Sequence, residues 1–171
     1  MVNKVTDIFN SAIVAASISA AYELGILDEL QLNGKVQIVN FCKQRDLHQA
    51  SVEGIFHALS CFTICEITEN KDVAYKGSLF ADIYRNKGYF LWLIGGYGYL
   101  LQNLTSIAKK ENRTGDFLKR NGKYIALAGR DYGLQFVDQH FENVLNEFPF
   151  KTIADIGCGS AERLINLAKK H

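Results

Sequence analysis

The chain has 171 residues, of which 48% are hydrophobic and 22% are charged, and its formal net charge is +1. This composition is typical of a globular chain of about one domain and excludes an intrinsically disordered one. A net charge so close to zero provides no basic field for nucleic acid or for an anionic membrane, so we expect neither as a partner.

The first predicted element is a long helix over residues 4 to 23. Its apolar side chains recur at helical spacing and occupy more than one stripe of the helix. We therefore expect burial on two sides, and the second side predicts a homodimer through the N-terminal helices. Lys4 is the only basic residue before the apolar run, and Asp7 intrudes, which disfavours a signal peptide, so we expect a soluble, cytoplasmic chain. The apolar positions are Val5, Ile8, Phe9, Ala12, Ile13, Ala16 and Ala20.

Three short helices and a two-stranded ribbon follow. The helices are predicted around residues 26–32, 36–42 and 51–64 from their apolar spacing. The ribbon is predicted from two short apolar runs, 64–68 and 73–75, separated by a polar turn. This order is the winged-helix pattern, and we assign residues 1–84 to a winged-helix dimerisation domain.

A winged helix often binds DNA through the second helix of its helix-turn-helix, which is predicted here over residues 51–64. It contains Glu53 and His57 but no lysine or arginine. A duplex binder without basic side chains there would lack the electrostatic term that supplies most of its affinity. The pattern favours a role in dimerisation or as a lid. One function that it allows is a dimeric regulatory or interaction module without catalysis.

Residues 85–148 are predicted to be connecting helices along the active-site side. A short helix over 77–84 precedes a long one over 89–110, and another helix is predicted over 133–148, after a polar linker from Arg113 to Gly122. The long helix contains Gly95, Gly96 and Gly98. Each glycine costs about 1 kcal/mol relative to alanine. They indicate either close backbone packing or a wall facing a substrate.

The last 23 residues, 149–171, contain the pattern with the clearest chemistry. Residues 151–156 predict a short strand buried on both faces, and Gly157 and Gly159 follow it directly. A helix is then predicted from Ala161. A strand, a glycine turn and a helix N-terminus together can hold a nucleotide-like ligand, because free N–H groups project from the first helical turn.

The sequence from Asp155 to Ala161, Asp-Ile-Gly-Cys-Gly-Ser-Ala, resembles the first motif of class I S-adenosylmethionine-dependent methyltransferases. Ala161 stands where that motif has its third glycine. The N-terminal pattern also resembles the O-methyltransferase-like group. Gly95 to Gly98 and Ala128 to Gly133 resemble the methyltransferases of bacterial natural-product pathways that act on 2-keto acids.

This resemblance implies a fold class that is mainly α with a small β ribbon, ending in the first β-α unit of a Rossmann-like fold. It implies S-adenosylmethionine as cofactor, bound by Asp155, Gly157, Cys158 and Gly159, with Asp155 holding the ammonium group. Tyr132 would cover the cofactor or the substrate.

The acceptor is expected to be a small molecule, methylated on carbon or oxygen. A guanidinium fork matches the two oxygens of a carboxylate, so Arg130 is a candidate clamp for it, although a structural pair with Asp131 explains the same residues. Tyr97 and Trp92 are weaker candidates for an aromatic wall. The sequence assigns no catalytic base and no metal ligands; the four cysteines have no zinc spacing with histidine.

A full fold of this class has about seven strands, whereas this region supplies one. The acidic residue that would hold the ribose hydroxyls is also missing from the 171 residues. The resemblance therefore predicts the N-terminal portion of a longer enzyme, inactive as an isolated fragment. A strand at 151–156 would then have open edges and an uncovered apolar surface.

Overall fold

The computed structural model describes residues 4–113 and 120–170, and every structural statement below concerns these ranges. The described chain is mainly helical with one small antiparallel sheet, as predicted. The predicted linker from Arg113 to Gly122 lies largely outside the described residues.

The first half alternates short helices with short strands. Gly25, at a φ of 77°, lets the chain reverse after the first helix. Gly34, at a φ of 73°, ends the second one. The elements are α1 (Lys4–Glu23), α2 (Ile26–Asn33), β1 (Lys35–Gln37), α3 (Ile38–Gln44), α4 (Gln49–Ser60), β2 (Cys65–Ile67), β3 (Val73–Lys76) and α5 (Phe80–Arg85).

The sheet has three antiparallel strands in the order β1-β3-β2. The predicted ribbon is confirmed by the pairing of β2 with β3, in which Glu66 lies opposite Tyr75. The prediction of a helix from Val36 is wrong at its start, because Val36 belongs to β1 and lies opposite Ala74 on β3. The helix begins only at Ile38, after this third strand has paired.

The hydrophobic core lies within this first half. Its buried side chains come from all five helices and from the sheet, and α1 packs against α4. Burying large apolar side chains is the main stabilising term in such a core. The most buried large residues are Ile18, Ile26, Leu27, Leu30, Ile38, Phe56, Leu59 and Ile64.

Helix α1 is buried only along its second half. Val14, Ile18 and Ala21 are in the core, whereas four apolar side chains of the first half are exposed: Val5, Ile8, Phe9 and Ile13. Among the described helices, α1 alone is long and apolar enough to cross a bilayer. Its most apolar 18-residue stretch has a mean hydropathy of 1.2, and 22% of that stretch is buried. A core helix or a signal sequence meets the same criteria.

The second half is helical throughout, and two of its segments are π-helical. The predicted long helix over 89–110 is divided: a π-helical segment interrupts it and it breaks again at Asn103. The elements are α6 (Lys87–Phe90), the first π segment (Leu91–Gly96), α7 (Tyr97–Gln102), α8 (Leu104–Ala108), a 3₁₀ turn (Lys110–Asn112), α9 (Gly122–Tyr132), the second π segment (Gly133–Val137), α10 (Asp138–Asn146) and α11 (Glu162–Lys170).

Helix α9 was not predicted, and it explains two of the glycines in the long helix. A Cβ added at Gly95 would lie 2.9 Å from Cγ of Tyr124, and one at Gly96 would lie 2.8 Å from Cγ1 of Ile125. Both distances are too short for a real contact, so close packing of α9 on the first π segment requires glycine there. Gly98 has no neighbour within 4 Å and needs another explanation.

The prediction of a buried strand over residues 151–156 is wrong for the described structure. No strand forms there, and the side chain of Ile156 is 100% exposed. A strand is stable only with a ladder partner, and the described sheet lies in the first half of the chain. The apolar surface expected for an uncovered strand is nevertheless present, because Ile153 is also exposed. The helix predicted from Ala161 is confirmed as α11.

Candidate functional site

The glycine turn, residues 157–161, places three residues in the left-handed region of φ. The φ angles are 89° at Gly157, 57° at Gly159 and 59° at Ala161. Glycine adopts such angles without a steric penalty, whereas alanine does not. A Cβ at either glycine would meet nothing within 4 Å. Glycine is therefore needed at these positions for the φ angle and not for close packing, and the space around the turn is open.

Helix α11 begins directly after this turn, at Glu162. The amide of Ala161 donates to the carbonyl of Cys158 at 2.9 Å, which closes the turn before the helix starts. The first four N–H groups of a helix have no partner within it, and they carry the positive end of the helix dipole. The local sequence therefore places hydrogen-bond donors next to the two glycines.

A cavity of about 420 Å³ lies between the glycine turn and α9. One wall is the turn together with the first two turns of α11, and the other is α9 with the residues that follow it. Its lining residues are Gly122, Ile125, Ala126, Gly129, Arg130, Leu134, Asp138, Asp155, Gly157, Cys158, Gly159, Ser160, Glu162, Arg163 and Asn166. A volume of this size suits a small organic ligand.

Two ion pairs connect the walls of this cavity. Nη1 of Arg130 lies 2.9 Å from Oε2 of Glu162, and Nε of Arg163 lies 3.0 Å from Oδ1 of Asp138. Arg163 also approaches Asp155, with 4.0 Å between Nη1 and Oδ2. The lining thus contains two guanidiniums and three carboxylates, a formal balance of −1, and favours a ligand with positive charge.

Arg130 is partly committed to the protein itself. Besides the pair with Glu162, its Nη2 lies 3.8 Å from Oδ1 of Asp131. Its Nε is buried and has no hydrogen-bond partner. A buried donor without a partner is costly and often marks a place where a ligand or a water completes the bonding.

Helix α9 is connected to the core by two tyrosine–carboxylate hydrogen bonds at the end of α1. Tyr22 donates its hydroxyl to Oδ2 of Asp131, and Tyr124 donates to Oε2 of Glu23 at 2.5 Å. Asp131 is buried, with 8% of its surface exposed. Burial and the bond to Asp131 raise the pKa of Tyr22, and the bond to Glu23 raises the pKa of Tyr124. These bonds fix the wall of the cavity to the first half.

The structure brings five of the predicted site residues into the cavity: Asp155, Gly157, Cys158, Gly159 and Arg130. The other three do not line it. The ring of Tyr132 packs near Tyr89 and Phe136, with centroids 5.7 and 5.1 Å away. Trp92 and Tyr97 pair with each other at 4.3 Å, and Arg120 donates to the hydroxyl of Tyr97 at 3.3 Å.

Sequence reasoning missed the other cavity residues of α9 and the charged residues at the start of α11. Small residues at Gly122, Ala126 and Gly129 recur at helical spacing, and this pattern could have predicted the helix. No comparable pattern pairs Glu162 and Arg163 with residues 32 and 25 positions earlier. Across the described ranges, no three His, Cys, Asp or Glu side chains come together as metal ligands.

No protein-family model matches the chain. The chain is similar to the curated methyltransferase ungE' of Aspergillus campestris (strain IBT 28561), with 35% identity over 167 residues. The aligned region is 96% of this chain and 48% of that protein, so the chain spans about half the length of this relative.

This similarity covers both the first half and the glycine turn, so it extends well beyond one short motif.

Proposed function

We propose that the chain holds S-adenosylmethionine at the glycine turn as part of a methyltransferase of class I. The observation that carries the proposal is the position of the two left-handed glycines. They border a cavity whose lining side chains carry a formal net charge of −1. S-adenosylmethionine has a sulfonium, an ammonium and a carboxylate and is cationic overall, whereas a nucleoside phosphate is anionic. The negative net charge of the lining therefore favours S-adenosylmethionine over a nucleoside phosphate.

Each candidate residue has a proposed part in holding the ligand. Asp155 accepts hydrogen bonds from the ammonium group, and the backbone of Gly157, Cys158 and Gly159 lies against the methionine portion. The first amides of α11 face a carboxylate rather than a pyrophosphate. The unpartnered Nε of Arg130 supports the fit, because it leaves a buried donor beside the cavity.

The proposed reaction is transfer of a methyl group to a carbon or oxygen of a small molecule, with 2-keto acids as the proposed acceptor class. S-adenosylmethionine supplies the electrophilic methyl group when bound. The chain's own contribution is alignment of the donor with the acceptor and exclusion of water. Arg130 is proposed to hold the acceptor's carboxylate, and Tyr132, Tyr97 and Trp92 to form the aromatic cover. These four roles require rearrangement of the contacts described above.

We also propose that the first half is a winged-helix domain that forms a homodimer in the cytoplasm. The order of its helices and its three-stranded sheet supports the winged-helix assignment. The exposed apolar side chains of α1, at Val5, Ile8, Phe9 and Ile13, support an interface there. Neither DNA nor a membrane is proposed as a partner. DNA binding is disfavoured because α4 has no lysine or arginine.

Titration of the 171-residue chain with S-adenosylmethionine, followed by amide NMR, tests the proposal. We expect amide chemical-shift changes at Gly157 and Gly159 with a Kd on the order of 0.1–1 mM (about 4–5.5 kcal/mol). Asp155→Asn should weaken binding by roughly tenfold or more, because a charge-assisted hydrogen bond is lost. Lys151→Gln, nearby on the chain, is the control and should bind normally.

ATP is the matched ligand, since it shares the adenosine but not the positive charge. Equal binding of ATP, or no shifts with S-adenosylmethionine at millimolar concentration, would contradict the proposal. An electrophoretic mobility shift of random-sequence duplex DNA at low salt would favour the non-catalytic winged-helix module instead.

A further inference from the structure

Helix α9 contains a glycine that its own packing does not require. Gly129 lies inside the helix, three residues before its end at Tyr132. A Cβ added there would meet no atom within 4 Å. Glycine inside a helix is unfavourable relative to alanine, because its backbone loses more freedom on folding. The described fold therefore loses stability at Gly129 and gains no contact in return.

Three other helical glycines of the second half, Gly88, Gly95 and Gly96, differ from Gly129 in this respect. A Cβ at Gly88 would lie 3.1 Å from the carbonyl oxygen of Ala128, and those at Gly95 and Gly96 would be closer still to α9. Close approach of backbones explains these positions. A Cβ at Gly98 would also meet no atom within 4 Å, but Gly98 does not line the cavity of about 420 Å³. Gly122 lines that cavity, but it is the first residue of α9, whereas the full cost of glycine applies inside a helix.

The position of Gly129 supplies the missing explanation. It lines the cavity of about 420 Å³ whose opposite wall is the glycine turn with Gly157 and Gly159. The next residue is Arg130, whose buried Nε has no hydrogen-bond partner. The wall thus combines an absent side chain with an unsatisfied donor, which are the two features expected where a ligand lies against a helix.

We propose that Gly129 is a steric specificity determinant: its missing side chain leaves the room in which the ligand of the glycine turn lies. This inference rests on the proposed function and adds the residue of the facing wall that limits ligand size. A methyl group at this position takes up part of that room and should weaken binding. A leucine side chain projects into the space between the two walls and excludes the ligand.

Three variants test the inference: Gly129→Ala, Gly129→Leu and the matched control Gly98→Leu. Alanine and leucine are both better helix formers than glycine, so each variant should raise the melting temperature by about 2–4 °C. Binding of S-adenosylmethionine, measured by amide NMR, should fall roughly tenfold or more only in Gly129→Leu. Gly98→Leu should keep the wild-type affinity to within about twofold, whereas Gly129→Ala should weaken binding by about two- to fivefold, because its methyl group takes up part of the same space.

Each other outcome overturns the inference. If the wild-type chain binds S-adenosylmethionine and Gly129→Leu binds it with the same affinity, the role of Gly129 is overturned while the proposed function stands. A melting temperature that falls in Gly129→Leu but not in Gly98→Leu would show that the fold itself requires this glycine. No binding by the wild-type chain would overturn the proposed function and, with it, the role of Gly129.

Discussion

The two halves of the described chain are stabilised in different ways. Residues 4–85 form a core in which side chains such as Ile18, Phe56 and Leu59 are almost fully buried. In the described residues from 86 to 170, only Leu91, Ala128 and Leu167 are buried apolar side chains. That half is held instead by glycine contacts, by hydrogen bonds from Tyr22 and Tyr124 and by ion pairs.

The contrast shows that the candidate site lies in the part with the weaker packing. Regions with few buried apolar contacts open at lower free energy than a core. Polar contacts fix orientation but contribute little net stability when they are exposed. The cavity is therefore positioned by the core through a small number of specific contacts, and each contact can be removed separately.

The largest expected effect is in the core. Phe56→Ala should lower the free energy of unfolding by about 3–5 kcal/mol, because it leaves a cavity at a fully buried position. Phe148→Ala, at a side chain that is 61% exposed, is the control and should change it by less than about 0.5 kcal/mol. Chemical denaturation measures both. Similar losses in the two variants would remove the contrast between the halves.

The connection between the halves should show the next largest effect. Tyr22→Phe removes the donor to buried Asp131 and should cost about 1.5–3 kcal/mol, the value typical of a hydrogen bond to a charged group. Tyr124→Phe removes an exposed bond and should cost under about 1 kcal/mol. Amide hydrogen exchange should increase first in α9. Equal costs would mean that burial of Asp131 is unimportant.

The same tyrosine predicts a pH dependence. The pKa of Tyr22 is raised by burial and then by the bond to Asp131. Its contribution to stability is fully present below the ordinary pKa of tyrosine, near 10, and is lost as pH rises toward the folded value. Stability of the wild type should fall above pH 10, and that of Tyr22→Phe should fall less steeply. Parallel curves for the two proteins would contradict the assignment.

The glycine contact should show a smaller effect. Gly95→Ala places a Cβ 2.9 Å from the ring of Tyr124. Overpacking costs about 1–3 kcal/mol, and better helix propensity returns about 1 kcal/mol, so a net loss of about 1 kcal/mol is expected. Gly54→Ala, inside α4 with no neighbour within 4 Å, should instead gain about 1 kcal/mol. Urea unfolding distinguishes the two signs.

The smallest effect concerns the turn itself and has the opposite sign. Ala161 has a φ of 59°, which costs an alanine about 1 kcal/mol. Ala161→Gly should therefore stabilise the second half by up to about 1 kcal/mol. Ala168→Gly, on an exposed position of α11, should destabilise it by a similar amount. Destabilisation in both variants would contradict the left-handed assignment.

Local patterns predicted α1 and the paired strands β2 and β3, because apolar spacing and turn residues act over a few positions. They missed β1, since three residues are too few to show a period and pairing with β3 decides their conformation. They missed α9 for a related reason. Its many small residues weaken the apolar pattern, and the contact with Gly95 and Gly96 fixes the helix.

The candidate site divides in the same way. Gly157 and Gly159 were predictable, because the turn depends on φ angles that few residues adopt, and Asp155 followed from the resemblance of the motif. Arg130 was predicted as a charged group, but its pairing with Glu162 was not. That pairing joins residues that are distant in sequence, and only the packing of α9 near α11 brings them together. The prediction of a strand over 151–156 was wrong because the described structure has no neighbouring strand with which it could pair.

The two π-helical segments determine where this half tolerates a change in chain length. A π-helical turn holds an extra residue compared with an α-helical one. Deletion of one residue within Gly133–Val137 would let the segment become α-helical and would leave the following helix in nearly the same register. Deletion of one residue within α9 would instead rotate the residues that follow by about 100° and turn Asp138 away from Arg163. The second deletion should therefore disturb the cavity much more than the first.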